Sequence, residues 1–251
     1  MKVVALTPDR SDRPGLLSLC RWQMERQTVP VEHRVIDYHP ESSMCDLTQR
    51  VRRGCNQAKK DGIDYAIIIE NDDYYPTNWI ENVIQVLKDQ GPVDLAGIPA
   101  TTYYNLVTQS WRSIGHGSNS SLFCTTINTD LNPRAWPRDG MVSLDLHLWR
   151  GARRVHKLTA HKFDVQKRPI GIKHGIGKVV TNSHAKRFRS KDPEFKFLRH
   201  VTDKDYFERL MAIWETMKAN NNVPIPREQR QLDSGNVPPL PRSVSIRSLQ
   251  E

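Results

Sequence analysis

Long hydrophobic runs, closely spaced cysteine pairs and internal repeats are all missing from this 251-residue sequence. No apolar stretch approaches the roughly 20 residues that a membrane-spanning helix needs, so we expect no membrane partner. The apolar run at the N-terminus is too short for a signal peptide. The four cysteines include no C-x-x-C pair, which indicates reduced thiols and a cytoplasmic protein.

The composition is that of a soluble globular protein, with 37% apolar and 26% charged residues. The length predicts one domain that buries a sizeable core, with an appendage. We place the domain at residues 1–219. Residues 220–251 are rich in Pro, Asn and Gln and predict a tail without a core of its own.

Positive charge is concentrated in one segment. The formal net charge is +9, yet residues 150–200 contain fifteen Lys and Arg against three Asp and Glu, a net charge of +12. The remainder of the chain therefore carries a charge of −3. A basic face of this kind attracts polyanions. The alternative is a solvated surface that also supplies a few phosphate ligands for a small nucleotide.

Three β-α units occupy the first 90 residues. Apolar segments with strand character are each followed by a helix with apolar residues at helical spacing, the strands at 3–8, 32–37 and 65–69 and the helices at 13–27, 46–60 and 76–88. The third strand is continuously apolar, which is typical of a parallel strand covered on both faces. The pattern predicts an α/β fold with a mostly parallel sheet flanked by helices, and a smaller, β-rich part over residues 94–219.

Four polar residues, Glu70-Asn71-Asp72-Asp73, directly follow this buried strand. Ligands of open α/β sheets bind just beyond the carboxyl ends of the strands. Clustered carboxylates repel one another unless a cation or several donors compensate them, and hard oxygen ligands suit Mg²⁺ or Mn²⁺. The alternative is an acidic turn that caps the helix starting near Pro76.

The stretch from Tyr65 to Glu81 resembles the strand, D-x-D motif, proline and helix of GT-A glycosyltransferases, particularly family-2-like ones. The resemblance implies a GT-A (Rossmann-like) fold, a nucleotide-sugar donor, with a UDP-sugar favoured, and Mn²⁺ or Mg²⁺. Asp72 matches the metal-binding Asp of the motif. Glu70 replaces its first Asp and is either a reserve metal ligand or, like Asn71, a donor-binding residue.

Further segments match the same family in the same order, over roughly residues 1–185. They make residues 1–93 the nucleotide-binding half and 94–219 the acceptor half. The residues that the resemblance places beside the nucleotide are Thr7, Pro8, Arg10, Asp37 and Arg53.

The segment that begins at Ser143 resembles the family helix that carries the catalytic Asp. A transfer that inverts configuration needs a base for the acceptor hydroxyl, which makes Asp145 the base candidate and Asp139 its reserve. The alternative for Asp145 is an acidic residue stabilised by the helix dipole.

A later segment, Pro169 to Lys178, resembles the sequence with which some GT-A enzymes complete the site. His174 would then be a second metal ligand, with His184 as its competitor. Gly177 and Lys178 would bind the diphosphate, since Gly permits close backbone approach and Lys neutralises charge.

The basic segment bears on the acceptor. Small, basic GT-A-like enzymes include some that resemble bacteriophage DNA-modifying transferases, so we expect a DNA acceptor with hydroxymethylated pyrimidines, in the cytoplasm of the producing or host cell. The alternatives are a glycan or small-molecule acceptor. A nucleotidyltransferase or a non-catalytic nucleic-acid-binding protein is a second alternative.

Overall fold

The computed structural model describes residues 1–37, 46–141, 143–156, 160–162, 168–175 and 190–221. Its main sheet has six strands, in the order β2-β1-β3-β7-β4-β8. Only β7 runs against its neighbours β3 and β4, while the other pairs in this sheet are parallel. These strands are β1 (Val3–Pro8), β2 (Glu32–Ile36), β3 (Tyr65–Ile68), β4 (Leu95–Gly97), β7 (Thr125–Asn128) and β8 (Ala160–Lys162).

Helices cover both faces of this sheet. One core cluster joins its strands to α1 (Pro14–Glu25) and α3 (Trp79–Gln90). The other joins them to α2 (Leu47–Lys60) and α4 (Leu144–His156). Gly54 lets α2 approach closely, because a Cβ at this position would lie 3.0 Å from both Leu6 and Ile36. The prediction of an α/β fold with a mostly parallel sheet flanked by helices is confirmed.

A second, four-stranded sheet has the order β10-β6-β5-β9. Its strands are β5 (Ala100–Asn105), β6 (Ser110–Gly115), β9 (Ile170–Lys173) and β10 (Ser190–Lys191). Helices α5 (Lys196–Val201) and α6 (Lys204–Asn221) pack with this sheet and with α1 in a third apolar cluster. Residues 94–219, predicted as a smaller β-rich part, thus supply all four strands of this sheet and also β4, β7 and β8 of the main sheet.

The three described cysteines, Cys20, Cys55 and Cys124, are buried and free. Within the described ranges, no helix has both the length and the apolar composition that a membrane span requires. Residues 157–159, 163–167 and 176–189 of the basic segment and residues 222–251 of the predicted tail lie outside the described residues, and Gly177, Lys178 and His184 are among them.

Candidate active site

The acidic loop, residues 70–75, leaves the carboxyl end of β3. It is held by a hydrogen bond within the loop and by one to the loop after β1. The Glu70 N–H donates to the hydroxyl of Tyr75 at 2.8 Å. Asn71 is 2% exposed and donates from Nδ2 to Asp9 Oδ1 at 2.5 Å. Because β1 and β3 are parallel neighbours, the loop after β1, which contains Asp9, lies beside the acidic loop. Asn71 therefore joins the two loops at the edge where α/β proteins bind ligands.

Strand β9 holds the other side of the acidic loop. Tyr74 and Ile170 exchange two backbone hydrogen bonds of 3.0 Å each. The N–H of Ile172 donates to Asp73 Oδ1 at 2.7 Å. This pairing places Lys173 and His174, at the end of β9, next to the carboxylates of the acidic loop.

Helix α1 supports the acidic loop through Gln23, a buried side chain. Its Nε2 donates to the carbonyl of Asp73 at 3.0 Å, and its Oε1 accepts from the N–H of Tyr75 at 2.7 Å. One turn later, Gln27 binds the carbonyl of Pro76 and the N–H of Ile80 in the same way, at 3.1 and 3.0 Å. Gln23 on α1 thus holds the acidic loop, and Gln27, which follows the end of α1 at Glu25, holds the chain at the start of α3.

Arg13, the residue before the first turn of α1, reaches the predicted metal ligands. Its Nη1 lies 2.7 Å from Asp72 Oδ2 and 2.9 Å from His174 Nε2. The two acceptor atoms are themselves 3.3 Å apart. Because a guanidinium only donates, His174 accepts through Nε2. The structure thus brings the predicted pair Asp72 and His174 together, with a cationic nitrogen between them.

The acidic loop carries three carboxylates, at Glu70, Asp72 and Asp73, and one oxygen of each lies within 4.8 Å of the other two. Burial raises the pKa of Glu70 to about 7, against the lowering effect of Lys173. Burial and then the charge of Asp72 raise the pKa of Asp73 well above its ordinary value. Burial also acts to raise the pKa of Asp72, but Arg13 holds it far below the usual range.

Protein charges therefore compensate this cluster. Arg13 pairs with Asp72, and the charge of Lys173 acts on all three carboxylates while its own pKa is raised by them against the effect of burial. Oδ2 of Asp73 is buried without a hydrogen-bond partner among the described groups.

The carboxylates are the donor type that Mg²⁺ and Mn²⁺ prefer, but the arrangement does not fit an ion held jointly by Asp72 and His174. Arg13 Nη1 contacts both of these side chains, and its positive charge would repel a cation bound to the same two atoms. Asp73, in turn, uses one oxygen to bind the backbone of β9. The predicted metal ligation remains a prediction, whereas the contacts present are those of an ion pair.

The residues predicted beside the nucleotide occupy different environments. Thr7 is fully buried, with Oγ1 2.8 Å from His33 Nε2. Burial lowers the pKa of His33 to about 4, so the ring is neutral at pH 7. Asp37 and Arg53 are exposed. Pro8 ends β1, and Arg10 follows it, half-buried, with its Nε 3.9 Å from the carboxylate of Asp12.

The two candidate bases differ in their surroundings. Asp145 lies half-buried in the first turn of α4, and burial is the largest cause of its raised pKa. Its negative charge contributes to the raised pKa of Glu70, so both face the same region. Asp139 instead accepts from Arg52 Nη2 at 2.9 Å and Gln49 Nε2 at 3.1 Å, both on α2.

Sequence reasoning missed Arg13, Lys173, Gln23, Asp9 and the buried Arg50 of α2. Arg50 bonds the carbonyls of Asp9 and Ile36, at the ends of β1 and β2. Two of these contacts had a signal in the sequence. One signal is the spacing of Gln23 and Gln27, and the other is the prediction that residues near 174 complete the site.

No family model matches the chain, and no curated protein matches its sequence. Among solved structures, S. aureus TarS residues 1–349 in complex with UDP is 10% identical over 68% of this chain, with a TM-score of 0.48. This chain spans 60% of the length of that TarS chain. A glycosyltransferase involved in the glycosylation of the major capsid of PBCV-1 is 11% identical over 85% of this chain and 99% of its own, with a TM-score of 0.37. Likenesses at these identities and scores assign no activity or ligand to this chain.

Proposed function

We propose that this protein is a glycosyltransferase of the GT-A type that transfers a sugar from a nucleoside-diphosphate sugar, with UDP favoured, to an acceptor hydroxyl. The observation that carries the proposal is the position of the acidic loop. It lies at the carboxyl ends of β1 and β3, where the guanidinium of Arg13 contacts Asp72 and the charge of Lys173 acts on all three carboxylates. Its sequence resembles the D-x-D motif of this family.

Lys173 and Arg13 supply the charge that the departing nucleoside diphosphate needs. Cations held in a partly buried site stabilise developing negative charge more strongly than they would in water. Mn²⁺ or Mg²⁺, which the resemblance implies, would supply the same chemistry. Since the contacts of Asp72 and His174 fit Arg13 rather than an ion, the mechanism assigns this role to the side chains.

Asp145 is the base in this proposal. A general base must lie on the acceptor side of the donor sugar and be deprotonated at the working pH. Asp145 meets the second requirement only above its raised pKa, and its charge acts on Glu70 across the site. Glu70 and Asp37 would bind the donor at its ribose and base.

The acceptor that we propose is a hydroxymethylated pyrimidine in DNA. The support is the charge of +12 over residues 150–200, because binding a nucleic-acid backbone needs several cations. A target base in a duplex would have to leave the stack or be reached through the major groove.

A two-step experiment tests the function and then the acceptor. UDP should raise the melting temperature of the protein, whereas a protein that only binds nucleic acid would be stabilised by DNA alone. Hydroxymethylated DNA incubated with the protein and a panel of nucleotide sugars should then gain the mass of one hexose per modified base. Asp145→Asn is the matched inactive control. No stabilisation by any nucleoside diphosphate would refute the transferase, while stabilisation without DNA modification would refute only the acceptor.

A further inference from the structure

One nitrogen of Arg13 contacts both Asp72 and His174, the two residues that the resemblance predicts as metal ligands. Nη1 lies 2.7 Å from Asp72 Oδ2 and 2.9 Å from His174 Nε2. The separation of these two ligand atoms, 3.3 Å, would suit a shared ion, because carboxylate and imidazole ligands lie roughly 2.0–2.2 Å from such cations. A cation bound to both atoms would lie next to this nitrogen, and the two positive charges would repel each other.

Arg13 is anchored rather than freely extended. Its carbonyl accepts from the N–H of Leu17 in the first turn of α1, and Pro14 fixes the backbone that follows. Its Nε lies 3.5 Å from Asp12, and its side chain is 20% exposed. His174 is equally fixed, since its carbonyl accepts from Trp214 Nε1 at 3.1 Å.

A second cation completes the arrangement. Lys173 precedes His174, its ammonium lies 5.2 Å from the ring centre of Tyr103, and its charge acts on the carboxylates of the acidic loop. A guanidinium has five N–H donors in a planar fork that suits phosphate, and Nη1 makes both of the contacts to Asp72 and His174. Two cations, Arg13 and Lys173, therefore act on the carboxylates of the acidic loop.

We propose that Arg13 takes the place of the divalent cation, so that this enzyme binds its donor diphosphate through Arg13 and Lys173 without a metal. The inference rests on the proposed function, because it concerns how that donor is held. Asp72 and His174 act here as positioning residues, which hold the guanidinium through Nη1 and leave the rest of its fork toward the diphosphate.

The test measures UDP and Mn²⁺ binding by calorimetry for the full chain and for Arg13→Ala. Arg21→Ala is the matched control, because it removes one exposed positive charge from the same helix. The wild type should bind UDP equally well in EDTA and in Mn²⁺. Arg13→Ala should lose about tenfold or more in UDP affinity in EDTA, since charge-assisted hydrogen bonds are lost. Mn²⁺ should then bind the vacated position and restore UDP binding.

Removing the carboxylate of Asp72 tests where the Mn²⁺ binds. Asp72→Asn in the Arg13→Ala background should abolish the regained Mn²⁺ binding. The proposal is overturned if wild-type protein binds one Mn²⁺ and loses UDP affinity in EDTA, a comparison that needs no variant. It is also overturned if Arg13→Ala binds UDP as the wild type does. Failure of every form to bind any nucleoside diphosphate would instead remove the proposed function, while Mn²⁺ titration of Arg13→Ala would still report on the position between Asp72 and His174.

Discussion

Replacing Gln23 with Met should destabilise the protein by removing both polar contacts between α1 and the acidic loop. Gln23 is 4% exposed, and its amide satisfies the carbonyl of Asp73 and the N–H of Tyr75. Each buried backbone group left without a partner costs about 1–3 kcal/mol. The free energy of unfolding should therefore fall by about 2–6 kcal/mol. Met keeps most of the side-chain volume, so the loss reports the hydrogen bonds rather than a cavity.

Urea denaturation measures this change. Gln85→Met on α3 is the matched control, since Gln85 is exposed and donates to Asp89 on the helix surface; the control should change stability by less than about 0.5 kcal/mol. Affinity for UDP should also fall in the Gln23 variant, because the acidic loop loses its support. A loss no larger than that of the control would show that α1 does not hold the loop.

Three further substitutions test the fold and the site. Gly151→Ala should lower the free energy of unfolding by about 1–3 kcal/mol, because the added Cβ would lie 2.6 Å from the carbonyl oxygen of Ala135. Gly115→Ala is the control and should lower it much less, because a Cβ there meets open space. Thermal unfolding compares the two variants. Arg50→Met should lower the free energy of unfolding by at least about 2 kcal/mol in urea denaturation, since hydrogen bonds from a buried charge are lost. An unchanged denaturation midpoint would contradict the role of Arg50 at the strand ends. Asp145→Asn should abolish transfer and raise the melting temperature at pH 8 but not at pH 4. Burial raises the pKa of this carboxyl, so its charged form destabilises the folded protein at high pH. This destabilisation disappears as the pH falls below the unfolded pKa of about 3.9. A lower melting temperature of the variant at pH 8 would contradict this sign.

The sheet and the acidic loop could be predicted because their signals are local. Apolar runs at 3–8 and 65–69, each followed by a helical repeat, define parallel β-α units whatever the rest of the chain does. The carboxyl end of such a strand is where ligands bind, so Glu70 and Asp72 could be located from the sequence.

The contacts across the site could not be predicted in this way. The hydrogen bond from Ile172 to Asp73 spans 99 residues, and the contact of Arg13 with His174 spans 161. No period or spacing encodes such pairings, because they depend on how β9 joins the acidic loop. Arg13 precedes a helix that looks ordinary in sequence, and only the fold shows that it faces Asp72.

A crystal structure of the protein grown with UDP in the presence of EDTA would show whether Arg13 and Lys173 hold the donor without a metal. We expect a diphosphate within hydrogen-bond distance of the Arg13 guanidinium and the Lys173 ammonium, beside an intact contact between Arg13 and Asp72. A diphosphate bound elsewhere, or Arg13 turned away from Asp72 in the complex, would contradict it.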